Sequence, residues 1–390
     1  MKWVNSEGRL PIKSWCENIE EGALKQALDL ANHSITFKHI ALMPDCHQGY
    51  GMPIGGVIAC DHAIIPNAVG ADIGCGMCVV KTSILGGELT KDNITEILAL
   101  VKEKVPVGFN HHKTKQEWEG FNLQTVPDVF EVNSNLEDAK YQLGTMGSNN
   151  HFIEIQQGDD GHIWFMVHSG SRNFGYKIAR EFNKIAIHLC NRWFSNIPNK
   201  DLAFFPIETK EAKEYLLAMQ YALEFAAENR RRIMDELKFA TGKFVRYDVL
   251  EEINIHHNYA TWENHFGKNL LVHRKGAISA RVGQKGIIPG SMGTPSYIVE
   301  GLGNPDSFNS CSHGAGRNMS KTKASSSLNE GDCTKDMDGI IFDGWPLDRK
   351  GNINLGEAPK AYKDIDEVIE AELDLIKPLV KLFPLGVIKG

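Results

Sequence analysis

The side chains best suited to hold a metal are scattered along almost the whole chain, and that scatter limits what it can fold into. The run Asn67-Ala-Val-Gly-Ala-Asp72-Ile-Gly-Cys75-Gly-Met77 sets a carboxylate and a thiol three residues apart, among three glycines. Glycine reaches backbone angles and close approaches that other residues cannot. Alone, the run reads equally well as a tight turn holding a buried free cysteine. Histidines beside glycine, serine or asparagine recur far downstream, at Asn150-His151, His168-Ser-Gly-Ser-Arg172, His256-His257-Asn258 and His313-Gly-Ala-Gly-Arg317. Local zinc modules keep their ligands a few residues apart. Ligands spread this widely converge only when a large fold brings them together. The 390 residues, 42% of them hydrophobic, suffice to bury the core such a fold needs.

Composition narrows the function classes. A net charge of -7 excludes a uniformly basic nucleic-acid coat, so a polyanion must find a local patch. Eight cysteines without framework spacing predict reduced thiols and a cytoplasmic protein. The N-terminal residues lack an apolar signal core, and no apolar run approaches membrane length.

Residues 20–33 carry a helical pattern. Ile40 to Met43 reads as a buried strand running into a polar loop with Asp45, Cys46 and His47. Strand ends are favoured positions for reacting groups. Asp45 and His47, two apart, fit one side of an extended segment. The same place beside Asp45 predicts that Cys46 lies near the metals and is open to oxidation. Residues 55–59 and 78–82 read as strands. A helix is predicted over 90–104, capped by Thr90. Residues 106–135 lose periodicity and include a flexible basic loop with His111 and His112. Two strands, at 152–155 and 163–167, are joined by Gly158-Asp-Asp-Gly161, a hairpin turn. Residues 172–193 and 210–240 read as helices. Arg230, Arg231 and Arg232 fan around the second one, as a solvated surface or an RNA-contacting face. Strands are expected at 270–276 and 296–300, a mobile polar loop or lid at 322–355, and a terminal helix at 364–382. No repeat or clean linker divides the chain. The expectation is one α+β domain, residues 1–390, with a mixed β-sheet core and helices around it.

Asp72, Cys75, His151, His168 and His257 are too many ligands for one tetrahedral ion. They fit two ions with Cys75 as a bridge, an arrangement suited to phosphoryl chemistry. Cys75-Gly-Met-Cys78 is also a C-x-x-C pair, but no second pair accompanies it. His33, His39, His62, His162, His188, His265 and His273 are read as core histidines. His313 precedes a run, 318–323, that looks helical, and a helix N-terminus favours phosphate. An imidazole beside metal-bound phosphate can act as a nucleophile. Arg317, Lys321 and Lys323 supply positive charge, and the 287–296 stretch, rich in hydroxyls and glycine, resembles a backbone cradle for a nucleotide.

The sequence resembles the RtcB family of RNA ligases. The matching runs are Met43-Pro-Asp-Cys-His-Gln-Gly, Val69-Gly-Ala-Asp-Ile-Gly-Cys-Gly-Met, Gly147-Ser-Asn-Asn-His-Phe-Ile-Glu, His168-Ser-Gly-Ser-Arg, His256-His-Asn-Tyr, Arg274-Lys-Gly-Ala, Ile288-Pro-Gly-Ser-Met-Gly, His313-Gly-Ala-Gly-Arg, Ala361-Tyr-Lys-Asp-Ile and Lys389-Gly. They follow one another in order over most of the chain. Cys46 and Ser148-Asn149 depart from the family's usual residues.

The resemblance implies a ligase that uses GTP and two Mn²⁺ per chain. It implies joining of RNA ends carrying a 3′-phosphate or 2′,3′-cyclic phosphate to RNA with a 5′-hydroxyl. By the family pattern Cys75 bridges the ions, His168 and His257 complete one, and Asp72 and His151 the other. His313 would carry GMP, and Asp45 falls at a position tied to activation of ligation. Asn150, Glu154, Ser291, Ser296, Tyr362 and Lys389 fall at guanylate-contacting positions, with Arg317 beside them. A monomer is favoured. The alternatives are a dinuclear phosphoesterase acting on RNA ends, which needs no covalent histidine, and a metal-stabilised RNA-binding protein. One tension accompanies the assignment: on a regular strand over 150–155, His151 and Glu154 face opposite sides.

Overall fold

The computed structural model of the chain describes residues 1–122, 124–148, 150–347 and 351–390. Two sheets organise it. The first has six strands in the order β1 (Trp3–Asn5), β2 (Ile12–Ser14), β3 (Thr36–His47), β4 (Ile54–Cys60), β12 (Lys268–Lys275) and β11 (Asn258–His265). The second has seven: β10 (Val249–His256), β6 (Gly76–Leu85), β8 (His162–Ser169), β7 (Phe152–Gly158), β17 (Ile376–Lys389), β15 (Ser296–Gly301) and β14 (Lys285–Ile288). Two ribbons pair β5 (Ala63–Ile64) with β9 (Phe205–Pro206) and β13 (Ala277–Ser279) with β16 (Ser310–Ser312). The β2–β3 pairing is parallel and the other strand pairings are antiparallel, so the sheet core is mixed, as expected of the α+β class.

The middle strands of the larger sheet, β6, β8 and β7, are buried on both faces, which explains their nearly continuous apolar runs. Along β7 and β8, Ile153, Ile155, Phe165 and Val167 face a core closed by α3 (Lys91–Lys104) and α7 (Lys210–Thr241). Phe152, Trp164 and Met166 face the other way, toward Met292, Ile298 and Met337. The smaller sheet buries Ile40, Leu42 and Ile58 against Ala23, Ala27 and Leu30 of α1 (Glu21–Asn32). Its opposite face packs Ala41, Met43, Val57 and Val272 against Ile288, Tyr297 and Val299 of the larger sheet. The remaining helices are α2 (Pro66–Val69), α4 (Phe130–Asn133), α5 (Leu136–Gln142), α6 (Arg172–Arg192), α8 (Lys321–Ser327), α9 (Glu330–Lys335) and α10 (Ile365–Ala371). Thr90 caps α3 reciprocally with Asn93, each side chain accepting the other's backbone N–H at 3.1 Å. No helix among the described residues is long and apolar enough to cross a membrane.

Several expectations are corrected. The terminal helix over 364–382 is only α10; the chain then becomes strand β17. Pro378 and Pro384 deny a helix there. The helix after His313 begins only at Lys321, capped by Ser320, so no helix N-terminus adjoins the histidine. The expected loop or lid includes α8 and α9, and α9 packs Cys333 against Leu355 and Ala358, while residues 348–350 of that stretch lie outside the described residues. Asn149, one of the two departures at 148–149, lies outside the described residues. The tension over 150–155 dissolves because β7 begins at Phe152, which leaves His151 outside the strand and Glu154 within it.

Candidate metal centre and nucleotide pocket

The loop between α2 and β6 carries Asp72 and Cys75 and is pinned from three sides. Cys75 N–H donates to Asp72 O at 3.1 Å, closing a turn. Gly74 N–H donates to Asn258 O at 2.9 Å, and His257 N–H to Cys75 O at 2.8 Å. Gly74 has φ +73°, and a Cβ there would sit 2.9 Å from Ala226 of α7. The sequence therefore needs glycine at that point. From α7, Arg230 Nη1 donates to Gly74 O at 2.8 Å and Ser169 O at 2.9 Å, so one guanidinium ties this loop to the end of β8. Arg230 is fully buried. Neither the solvated surface nor the RNA face expected of the arginine triplet describes it.

These constraints bring the five proposed ligands into one chain of contacts. Asp72 Oδ2 lies 3.2 Å from His151 Nε2. Cys75 Sγ lies 3.3 Å from His151 Nε2 and 3.3 Å from His168 Nε2. His168 Nε2 lies 3.1 Å from His257 Nε2. Cys75, His151 and His168 each present a donor atom within 4.8 Å of one another.

Proton counting tests whether a metal fits. His168 Nδ1 lies 3.0 Å from the Asn150 carbonyl oxygen, which can only accept, so Nδ1 carries the proton. His257 Nδ1 faces Asn258 Oδ1 at 3.3 Å. That amide is oriented by donating Nδ2–H to Asp72 O and accepting Gly276 N–H, so here too Nδ1 is the protonated nitrogen. The two Nε2 lone pairs thus face each other and the Cys75 sulfur. One thiol proton cannot satisfy them, whereas a cation does. Burial, with the neighbouring His151 and His313 charges adding to it, holds His168 well below the usual imidazole range, which keeps it neutral as a ligand must be. His257 is lowered in the same way. Burial and the Asp72 charge push the Cys75 thiol well up, and a bound cation reverses that by holding the thiolate. Arg172 Nη1 faces His151 Nδ1 at 3.4 Å.

His313 follows β16 and faces this centre, its ring 4.6 Å from that of His257. Asp45, in β3, accepts from His313 Nδ1 at 2.6 Å and from its backbone N–H at 3.2 Å. Among the described residues none forms a hydrogen bond to its Nε2. Gly316, at φ +72°, lets the chain pass the Asp45 backbone; a Cβ would lie 2.3 Å from Asp45 O. His47 borders the same cavity as His313.

That cavity, about 240 Å³, is bordered by Asn150, Ser291, Arg317, Tyr362 and Lys389 as well. Ser291 Oγ lies 2.9 Å from Thr294 Oγ1. Glu154 and Ser296 sit deeper, joined by Gln156, whose Nε2 donates to Glu154 Oε2 at 2.7 Å and Ser296 Oγ at 3.2 Å. Burial pushes Glu154 up to about 8 despite the nearby Lys389. Sequence reasoning missed Glu357, which gathers the cations of this cavity. It lies 2.7 Å from Lys321 Nζ, 3.1 Å from Lys389 Nζ and 3.4 Å from Arg317 Nη1, and it accepts from Tyr362 OH at 2.5 Å. Burial opposes its charge, but Lys389 and Lys321 pull it down to about 2. No motif marks a single glutamate in a polar stretch, so the sequence held no signal for it. Lys323 is exposed and apart from this cluster.

Cys46 does not approach the metal donors. It is buried with Cys16 and Leu42 on the α1 side of the smaller sheet, and burial pushes its thiol well up. All eight cysteines are free and buried. Burial therefore shields Cys46 from the oxidation that its place beside Asp45 predicts. His33, His39, His265 and His273 are buried as expected, while His62 and His188 are exposed.

Fold and site define a class: an α+β protein with a buried thiol–imidazole centre suited to a metal, facing a cationic cavity across a histidine held by a carboxylate. The comparisons carry this further. The family model described as tRNA-splicing ligase RtcB matches residues 26–390. The chain belongs to the RtcB family, and it is an RNA ligase by enzyme class. It is 40% identical to the RNA-splicing ligase RtcB of Escherichia coli K12, with 97% of each chain covered. It is 31% identical to the tRNA-splicing ligase RtcB of Nanoarchaeum equitans, over 95% of this chain and 92% of that one. It is 30% identical to the RNA-splicing ligase RtcB of Mycobacterium tuberculosis, over 89% and 96%.

Proposed function

We propose that residues 1–390 act as one RNA-ligase domain joining RNA with a 3′-phosphate or 2′,3′-cyclic phosphate to RNA with a 5′-hydroxyl, using GTP and manganese. The observation that carries this reading is the His313–Asp45 pair beside the ligand cluster. A phosphoesterase needs the metal donors but not a histidine held by a buried carboxylate with its other nitrogen free. His313 Nε2 attacks the α-phosphorus of GTP; an N–P bond forms, and the P–O bond to pyrophosphate breaks. Asp45 holds the Nδ1 proton throughout and stabilises the positive charge that develops on the ring. GMP then passes to the RNA 3′-phosphate, and the 5′-hydroxyl displaces it. A cyclic phosphate is first opened by hydrolysis.

Asp72, Cys75, His151, His168 and His257 would hold two Mn²⁺, which when bound supply charge stabilisation for phosphoryl oxygens. Lys389, Arg317 and Lys321 draw the nucleotide's phosphates, and Glu154, Ser296, Ser291, Asn150 and Tyr362 shape its base and sugar site. The eight free cysteines support a cytoplasmic setting, and the relatives' names support a role in splicing of tRNA or other RNA. A monomer is the proposed state.

The test is transfer of label from α-labelled GTP to the protein, together with joining assays on all four combinations of RNA ends. Wild type is expected to take up label and to join only 3′-phosphate to 5′-hydroxyl ends. His313→Ala is expected to lose the adduct. Joining of 3′-hydroxyl to 5′-phosphate ends, or release of phosphate without joining, would overturn the reading.

A further inference from the structure

Behind His313, on the side away from the cavity, two carboxyl groups hold two successive backbone N–H groups. Ser312 N–H donates to Glu372 Oε2 at 2.9 Å, and His313 N–H donates to Asp45 Oδ2 at 3.2 Å. Both acids are fully buried, with 0% exposure. Their second oxygens, Asp45 Oδ1 and Glu372 Oε1, have no hydrogen-bond partner of good geometry among the described residues, and neither has Ser312 Oγ. Unpartnered buried oxygens are rare and costly; the Ser312 hydroxyl beside Glu372 carries one proton, and two bare carboxyl oxygens need a second.

The charged and titratable neighbours do not supply one: Lys363 Nζ, the cation beside Asp45, donates to the Pro44 and Cys46 carbonyls at 2.9 Å each, and His47 Nδ1 lies 2.9 Å from the Asp45 backbone oxygen. Cys311 of β16 is itself a buried acid, pushed well up. Asp374, in the turn after α10, accepts from Trp15 Nε1 and lies beside the N-terminal amine. The cation Arg274 of β12 is spent on Glu263 at 2.6 Å. Two adjacent buried carboxyls without a countercharge do not both ionise. Asp45 Oδ2 already receives two N–H donors from His313, so the proton belongs on Glu372. The direction agrees: burial pushes Glu372 up to about 8, Asp45 and Asp374 adding to the effect while Ser312 opposes it.

We propose that Glu372 is a positioning residue for His313. As a neutral acid it accepts the Ser312 N–H with one oxygen and turns its O–H toward Asp45, which is thereby fixed against the imidazole. Ionisation of Glu372 removes that donor and sets a second negative charge beside Asp45, and the hold on the ring loosens. The inference rests on His313 being the reacting group.

The experiment compares wild type, Glu372→Gln and Glu372→Ala on the full chain. Label transfer from GTP to His313 is followed from pH 6 to 9, and the His313 Nδ1–H signal is read by nitrogen-15 NMR before manganese is added. The wild-type rate is expected to fall above about pH 8. Glutamine donates at every pH, so Glu372→Gln should match wild type near pH 7 and hold its rate to pH 9. Glu372→Ala should lose roughly tenfold at pH 7, as expected for one lost buried hydrogen bond. It should also lose the sharp Nδ1–H signal. A Glu372→Gln profile that declines with wild type overturns the proposal. So does a Glu372→Ala chain with wild-type rate and signal. If wild type takes no label on His313, the covalent reading falls instead, and the NMR comparison still decides whether Glu372 places the ring.

Discussion

Cys75 stands at the middle of the ligand chain, touching an imidazole on either side. Cys75→Ala is expected to lose most of the metal bound after manganese loading, measured by elemental analysis of the desalted protein. Unchanged stoichiometry would remove Cys75 from the centre. Zinc binds such donors more tightly than manganese, so loading must follow chelation. Arg230 acts at one remove, by holding Gly74 and Ser169. Arg230→Met takes the guanidinium from two buried carbonyls, only one of which, Gly74 O, keeps His256 Nδ1 beside it at 3.1 Å, and is expected to cost about 1–3 kcal/mol of stability. Denaturant titration measures this, and a loss under ~0.5 kcal/mol would show that the loop needs no such brace.

Among the elements, β17 carries two duties. Its pairing with β7 and β15 is extensive, and its last residues reach the site. Lys389 pairs with Glu357, and Gly390 N–H donates to His151 O at 3.1 Å. Removal of Lys389 and Gly390 is therefore expected to spare the fold while weakening GTP binding by about 1.5–3 kcal/mol, roughly 10- to 100-fold. Calorimetry on the truncated chain checks it, with circular dichroism reporting the fold. The α3 cap offers a contrasting case remote from the site. Thr90→Ala opens the reciprocal cap and is expected to cost about 1 kcal/mol, with GTP binding unchanged.

For the whole molecule, buried histidines govern the acid limb. Burial lowers His33, His39 and His273 to about 4 each. Unfolded, they bind protons from about pH 6.5 downward. Over that interval the unfolded chain holds more protons than the native one, so stability is full above 6.5 and is lost as pH falls toward 4. Glu154 and Glu372, raised to about 8, act the other way between about 4.5 and 8. These three histidines, with His256 lowered to about 3, outweigh the two glutamates and leave a net loss on the acid side. Thermal melting from pH 7 to 4 is expected to show it, and a flat profile would contradict the buried neutral histidines.

Local signals in the sequence determined much of this protein. Alternation of apolar residues, the Thr90 cap and the Gly158–Gly161 turn specify their elements through contacts only a few residues long. The glycine-flanked Asp72, Cys75 and the four site histidines were legible because their chemistry is unusual wherever it occurs. Tertiary structure alone decided the rest. The 376–389 stretch is a strand because β7 and β15 lie on either side of it, and nothing in its own pattern names those partners. Arg230 and Arg231 are neighbours in sequence, yet one is buried and the other is not, because helix rotation turns only Arg230 toward the metal loop. Glu357 and Glu372 are ordinary glutamates in sequence. What sets them apart is desolvation and charged neighbours, tens of residues away for Glu357 and hundreds for Glu372, and both exist only once the chain has folded.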